Sequence, residues 1–398
     1  MIRLLHTSDW HLGKRLYDWP RLEEQQCFLT WLVDEVRHNA VDALLICGDI
    51  FDSSNPPAEA ERLYYEFLAR LHSASPSTQI IISSGNHDSA LRLSAPRDIL
   101  SALNTHIACF ARTKRGERNY KELIVPLYKQ GKQVATCIAL PYLRQGDYDM
   151  NKSYEQGVSD LITELYSEAA KDHLPIIAMA HLFVMGGKFS SDKADLFPSI
   201  GLAERISADV FPKDIQYVAL GHLHRPHSIS PDERIRYSGS PMPFDFSEHT
   251  YTHGVTLVEM DDSSLSVEAL HFRSPAPLLT VRGSMQDIEA FMIQQPEQPI
   301  DASAPFLHIE LESETVSPLE KVKIKQLCRN RYVRLAKATL RGNAATAPEN
   351  SPNESGKEQR MDPLEIASLE YRKRIGADMS QATQALFTEA VQKVLSEV

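Results

Sequence analysis

The chain has 398 residues, of which 42% are hydrophobic and 24% charged, and a formal net charge of −11. This is an ordinary globular composition with material for two or three domains, and its acidity argues against broad adhesion to polyanions. A nucleic-acid enzyme is not excluded, because bound divalent ions and local basic patches can supply a positive field where it is needed.

In chain order, residues 2–8 form a strand that runs into Asp9-Trp10-His11. Residues 21–39 carry helical spacing (Leu22, Cys27, Phe28, Trp31, Leu32, Val36), and Val41 to Ile46 is a continuous apolar strand ending in Cys47-Gly48-Asp49. A breaker-rich loop leads to a helix opened by Pro57, with Leu63, Tyr64, Phe67, Leu68 and Leu71 on one face. Ile80-Ile81-Ile82 is a buried strand, followed by Gly85-Asn86-His87-Asp88, where glycine serves the turn. Alternating strands and helices predict a parallel α/β sheet. Further strands are expected over 106–110, 122–127 and 134–141, a helix over 153–171, and strands over 176–180 and 217–220 that end at His181 and His222-Leu223-His224. Residues 235–241, 255–259 and 265–271 complete a β-rich stretch. Sheet on sheet with helices outside is the expected architecture.

Residues 278–342 alternate strand and helix, which suggests a small separate α+β domain. Residues 342–360 are polar and rich in breakers and read as a flexible linker. The tail carries two amphipathic helices after Asp362-Pro363, either docking back on the body or gripping a partner. The five cysteines (Cys27, Cys47, Cys109, Cys137, Cys328) form no Cys-x-x-Cys pair. They read as thiols in a reducing compartment. No apolar run reaches membrane-spanning length and the N-terminus lacks signal-peptide architecture, so a cytoplasmic, nucleoid-associated location is expected.

The strand ends collect Asp9, His11, Asp49, Asn86, His87, His181, His222 and His224. Open α/β folds place ligands at such ends. Carboxylate, amide and imidazole donors without thiolate suit Mn²⁺ or a similar ion and disfavour structural zinc. Asp49 is placed to bridge two ions, which together would clamp a phosphorus centre and activate water. His87, if not a ligand, could protonate the leaving oxygen, with Asp88 holding its tautomer. His6, His38, His72, His106, His227, His249 and His253 read as structural. Lys14, Arg15, Arg92 and Arg97 could touch phosphates, though solvated charge is the default for each.

Asp9-x-His11, Gly48-Asp49, Gly85-Asn86-His87-Asp88, His181 and Gly221-His222-x-His224 together resemble the calcineurin-type metallophosphoesterase superfamily. His6-Thr7-Ser8-Asp9-Trp10-His11-Leu12-Gly13, Gly48-Asp49-Ile50-Phe51-Asp52 and Tyr237-Ser238-Gly239-Ser240-Pro241 narrow the resemblance to the SbcC–SbcD branch of double-strand-break repair nucleases. The resemblance implies a four-layer fold of two packed mixed sheets flanked by helices (residues 1–275), a DNA-capping domain (276–342), a linker (343–360) and a helical tail (361–398) that binds an SbcC-like ATPase. It implies one Mn²⁺ on Asp9, His11, Asp49 and His224, another on Asp49, Asn86, His181 and His222, and His87 as the acid.

The implied activity is ATP-dependent 3′–5′ double-strand exonuclease and single-strand or hairpin endonuclease, serving DNA repair, recombination and replication. A nuclease homodimer within a heterotetramer is also implied, through the amphipathic segments at 21–39 and 58–72. One position departs from related archaeal enzymes, which carry a second histidine where this chain has Asp52. A small-substrate phosphodiesterase and a metal-stabilised scaffold remain competing readings. The tail argues against the first and the intact His87-Asp88 pair against the second.

Overall fold

The computed structural model describes residues 1–144, 146–149, 151–185, 205–261, 264–313 and 318–342, together with residues 371, 379–380 and 383–384. The linker expected over 343–360, and all but those last few residues of the expected tail, lie outside the described residues. By contact the chain divides into two compact units, Met1–Asn343 and Ala344–Val398.

Within the first unit the elements run β1 (Ile2–Thr7), α1 (Leu22–His38), β2 (Ala43–Cys47), α2 (Ala58–Ala74), β3 (Gln79–Ser83), β4 (Thr105–Ala108), β5 (Ile124–Lys129), β6 (Lys132–Leu140), α3 (Tyr154–Ala169) and β7 (Ile176–His181). They continue with β8 (Ile215–Gly221), β9 (His227–Ser228), β10 (Ile235–Tyr237), β11 (Gly254–Met260), β12 (Leu265–His271), β13 (Leu278–Gly283), α4 (Met285–Ile293), β14 (Phe306–Ser313), α5 (Pro318–Cys328) and β15 (Arg334–Gly342).

Two mixed six-stranded sheets result, ordered β12-β11-β1-β2-β3-β4 and β9-β10-β8-β7-β6-β5. In the first, β1, β2, β3 and β4 are parallel, and β11 pairs antiparallel with both β1 and β12. In the second, β6, β7, β8 and β10 are parallel. The central strands are mostly apolar because both their faces are buried. Leu4, Leu45, Ile81, Ile177, Met179 and Ala219 fill the space between the sheets. Leu5, Leu44, Ile46, Ile80 and Ile82 face the other way, onto the buried stripes of α1 and α2. On the second sheet, Ala178, Val218 and Leu220 pack against Val158, Leu161, Ile162 and Leu165 of α3. The layers are therefore helix, sheet, sheet, helix. This is the four-layer arrangement the sequence led us to expect, and it turns the carboxyl ends of two sets of parallel strands toward one another.

Residues 278–342 form a separate three-stranded parallel sheet, β13-β14-β15, with its own core of Ile288, Met292, Leu307, Ile309 and Ile324. Helix α4 is fixed by a reciprocal capping box between Ser284 and Asp287. A second small cluster, Leu16, Phe246, Ala276 and Phe306, joins this sheet to the sandwich. Beside it Trp19 donates to the Leu335 carbonyl at 2.9 Å. Arg21 is buried there and grips Glu24 through Nε and Nη2, each at 2.8 Å. The Phe306 ring meets the guanidinium groups of both Arg21 (5.4 Å) and Arg334 (4.7 Å).

Most strand and helix expectations match within a few residues. Two differences have a local cause. The stretch from 122 begins with a helical turn, Tyr120–Leu123, before β5 starts at Ile124. The short hairpin of Arg15–Leu16 with Trp19–Pro20 carries no apolar alternation long enough to read from sequence.

Candidate metal centre

Every expected donor lies just beyond, or at the end of, a parallel strand. Asp9 and His11 follow β1, Asp49 follows β2 and Asn86 follows β3. From the opposite sheet His181 ends β7, and His222 and His224 follow β8. The backbone is left-handed at Asp9 (φ 53°), His11 (φ 45°) and Asp49 (φ 51°), and φ is 102° at His222. These conformations are costly for non-glycine residues and concentrate at functional sites.

The chain is also packed against itself. A Cβ on Gly85 would collide with the Asp49 carboxylate, and one on Gly221 with the Cys47 carbonyl. Gly85 is thus glycine for lack of room. Its φ is not among the positive values, so the turn conformation expected of it is not what demands it.

The donor atoms converge in two groups. In one, His222 Nδ1 and His181 Nε2 lie 3.3 Å apart, and Asn86 Oδ1 lies 3.1 and 3.0 Å from them. In the other, His11 Nε2 and His224 Nε2 face each other at 3.3 Å. Asp9, His11 and His224 could together hold an ion, as could Asp9, Asp49 and His181. Asp49 Oδ2 lies between the groups, 3.3 Å from His181 Nε2 and 3.7 Å from His11 Nε2. Burial opposes the Asp49 charge, but His181, His11 and His87 outweigh it and hold the carboxyl well below the usual range. Burial and the His181 charge push His222 down to about 3.

Two imidazole nitrogens turned toward each other at such distances share their lone pairs naturally with a cation. The outer nitrogens of two of these rings are already engaged. His181 Nδ1 faces the Cys47 carbonyl at 2.8 Å, which can only accept, so this nitrogen carries a proton and Nε2 is the one turned toward the other donors. His224 Nδ1 is held at 2.8 Å by Glu248 Oε1, whose other oxygen accepts from the Phe244 amide at 2.7 Å. Carbonyl and carboxylate partners of this kind orient metal-binding histidines. The donor set therefore fits a pair of divalent ions.

His87 stands apart. It is exposed, its amide donates to Asp49 Oδ1 at 2.9 Å, and its Nδ1 faces the Asp52 carbonyl at 2.8 Å. The ring meets His11 edge-on at 4.8 Å. With Nδ1 donating to a carbonyl, Nε2 is the other ring nitrogen.

Asp88 does not hold His87. Its buried carboxylate instead accepts from the amides of Gly85 (2.9 Å), Ile50 (3.2 Å) and Phe51 (3.0 Å), tying the β3 loop to the β2 loop. Burial and the Asp49 charge push it up to about 6 against those three amides. The expectation that Asp88 sets the His87 tautomer is corrected accordingly: the Asp52 main chain contacts that nitrogen.

The Asp52 side chain serves elsewhere. It accepts from Lys14 Nζ at 2.7 Å and lies 3.4 Å from His11 Nδ1, a nitrogen left without a full hydrogen bond. Burial opposes its charge, yet His11 and Lys14 bring its pKa down to about 2.

Glu248 carried no signal in the sequence, because it is separated from His224 by two strands, β9 and β10, and the turns around them. Among the histidines read as structural, His6, His106 and His253 have ring nitrogens directed at main-chain carbonyls or a tyrosine hydroxyl.

The paired sheets, with strand-end carboxylates, an amide and imidazoles between them, define a calcineurin-like phosphoesterase, and the family model of that description matches residues 2–226. The SbcD component of nuclease SbcCD from Rhodobacter capsulatus is 37% identical over 331 residues, which cover 79% of this chain and 81% of the relative. The SbcD component from Escherichia coli K12 is 33% identical over 340 residues, covering 81% of each. That of Bacillus subtilis is 35% identical over 268 residues, covering 65% of this chain and 66% of its own length. The chain belongs to this family, in its SbcD branch.

Proposed function

We propose that the chain is the nuclease subunit of an SbcC–SbcD-type complex and hydrolyses DNA phosphodiesters at the strand-end centre. The observation that carries this reading is the pair of facing imidazole groups with Asp49 between them. Asp9, His11, Asp49 and His224 would hold one ion, and Asp49, Asn86, His181 and His222 the other, with Mn²⁺ best suited to this oxygen and nitrogen set. When bound, such ions neutralise phosphate charge and acidify water. His87, exposed and fixed through Nδ1, would present Nε2 to the leaving oxygen and deliver its proton. Asp88 is assigned to bracing the loop that carries Asn86 and His87. DNA repair, recombination and replication are the settings in which a double-strand exonuclease and hairpin endonuclease of this kind would act.

Residues 276–342 would cap the DNA, and residues 361–398, beyond a linker at 343–360, would bind the SbcC-like ATPase. A homodimer through the outer faces of α1 and α2 would complete a heterotetramer in the cytoplasm, at the nucleoid. No helix among the described residues is long and apolar enough to cross a membrane.

The test is a cleavage assay on linear and hairpin DNA with Mn²⁺, against a small phosphodiester, with and without the ATPase partner. ATP-dependent cutting of linear ends is expected in the complex. Cleavage of the small diester alone would favour the phosphodiesterase reading. Removing residues 361–398 is expected to abolish capture of the ATPase, and retained capture would remove the tail from the interface.

A further inference from the structure

The acidic chain carries a compact basic cleft whose lining begins at the residue after one of the candidate donors. Arg225 directly follows the donor His224, and a cleft of about 380 Å³ opens between it, β10, the end of β12 and the loop at residues 250–252. Its polar lining is Arg225, Arg236, Thr250, Tyr251, Thr252 and His271, with no carboxylate. Arg225 is exposed and makes no ion pair among the described residues. Its guanidinium lies 5.7 Å from the centre of the Tyr251 ring, which steadies its plane. Arg236 is half-buried, pairs through Nη1 with Glu233, and keeps a buried Nε without a partner. The basic residues singled out from the sequence differ from these. Lys14, Arg92 and Arg97 are each neutralised by a carboxylate, namely Asp52, Glu61 and Glu122.

We propose that this cleft binds a non-scissile phosphate of the nucleic-acid strand whose neighbouring phosphodiester lies at the metal centre. The inference rests on the nuclease reading and adds to it the residues that hold the strand. The Arg225 guanidinium, with the His271 imidazole and the Thr250, Tyr251 and Thr252 hydroxyls, is an anion-binding set, Arg236 being already paired with Glu233. A planar guanidinium can present two parallel N–H groups to phosphate oxygens. The contact carries no base information, so it positions the strand without selecting its sequence. It also places a positive field where a chain of net charge −11 needs one.

The test uses the full-length chain, its R225Q and R225K variants, and a labelled single-stranded oligonucleotide with phosphorothioate linkages to resist cleavage. Fluorescence anisotropy across a salt series reads affinity and its salt slope. R225Q is expected to bind about tenfold more weakly for every sequence tried, with a slope shallower by about 0.7, the value of one lost phosphate contact on a single strand. R225K is expected to restore the slope but not the full affinity, because an ammonium neither forks nor holds its plane on Tyr251. Wild-type affinity and slope in R225Q would overturn the inference, as would weakened binding with an unchanged slope. Absence of binding by the wild type itself would instead overturn the underlying nuclease reading.

Discussion

Glu248 offers a sharp test of the metal centre. Its Oε1 holds His224 Nδ1 at 2.8 Å, while its Oε2 is anchored by the Phe244 amide at 2.7 Å. The Phe244 ring lies edge-on to both His224 (5.3 Å) and His11 (5.1 Å), so this one loop braces two donors of the same group. Replacing Glu248 with glutamine preserves shape but removes the charge that fixes the tautomer and raises the basicity of the ring. Losing such an outer partner typically weakens metal affinity about 10–100-fold, or about 1.4–2.8 kcal/mol. The other group should be spared, because His181 is oriented by the Cys47 carbonyl and has no contact with Glu248. Titration calorimetry with Mn²⁺ on wild type and E248Q should therefore show one binding event weakened and the other unchanged. Equal weakening of both, or no change in either, would refute the assignment of Glu248 to the Asp9–His11–His224 group.

Other outcomes follow from the same geometry. Substituting His87 with alanine should lower DNA cleavage by about 10²–10⁴-fold while Mn²⁺ still binds, and cleavage within a few-fold of wild type would remove it as the acid. Substituting Arg21 with alanine leaves the buried Glu24 without its partner and should cost about 3–5 kcal/mol in urea unfolding, whereas the double change R21M/E24L should cost far less. His6, buried between the Tyr217 hydroxyl and the Leu220 carbonyl, is pushed down to about 3, mainly by burial. The unfolded chain takes up the proton that the folded chain refuses, so this group's contribution is complete above pH 6.5 and declines as pH falls toward 3. At pH 5 the loss is about 2 kcal/mol. Denaturant unfolding at pH 7 and pH 5 should show H6Q losing less stability than wild type, and an equal loss would exclude His6 as the source.

Much of this protein is legible in its sequence because two physical signals are local. Strands buried on both faces must be apolar at nearly every position, so Ile80-Ile81-Ile82 and the run ending at Cys47 declare themselves. Donors clustered where such runs stop then mark one end of the sheets. The spacing of Asp9-x-His11 and His222-x-His224 does the same within single loops. These signals led to the layer order, the candidate donors and the strands of the small third sheet.

The tertiary structure decided what depends on contacts between distant segments. It placed Asp88 under three main-chain amides instead of against His87, a choice made by the β2 loop passing alongside. It gave Gly85 its reason, since only the absence of a Cβ admits the Asp49 carboxylate. It brought Glu248 to His224 and turned Asp52 toward Lys14 and His11. It also separated the neutralised cations at Lys14, Arg92 and Arg97 from Arg225, which lies over Tyr251. Spacing along a chain reports which side of a strand a residue occupies. Only the packing of one loop on another reports which charge it meets there.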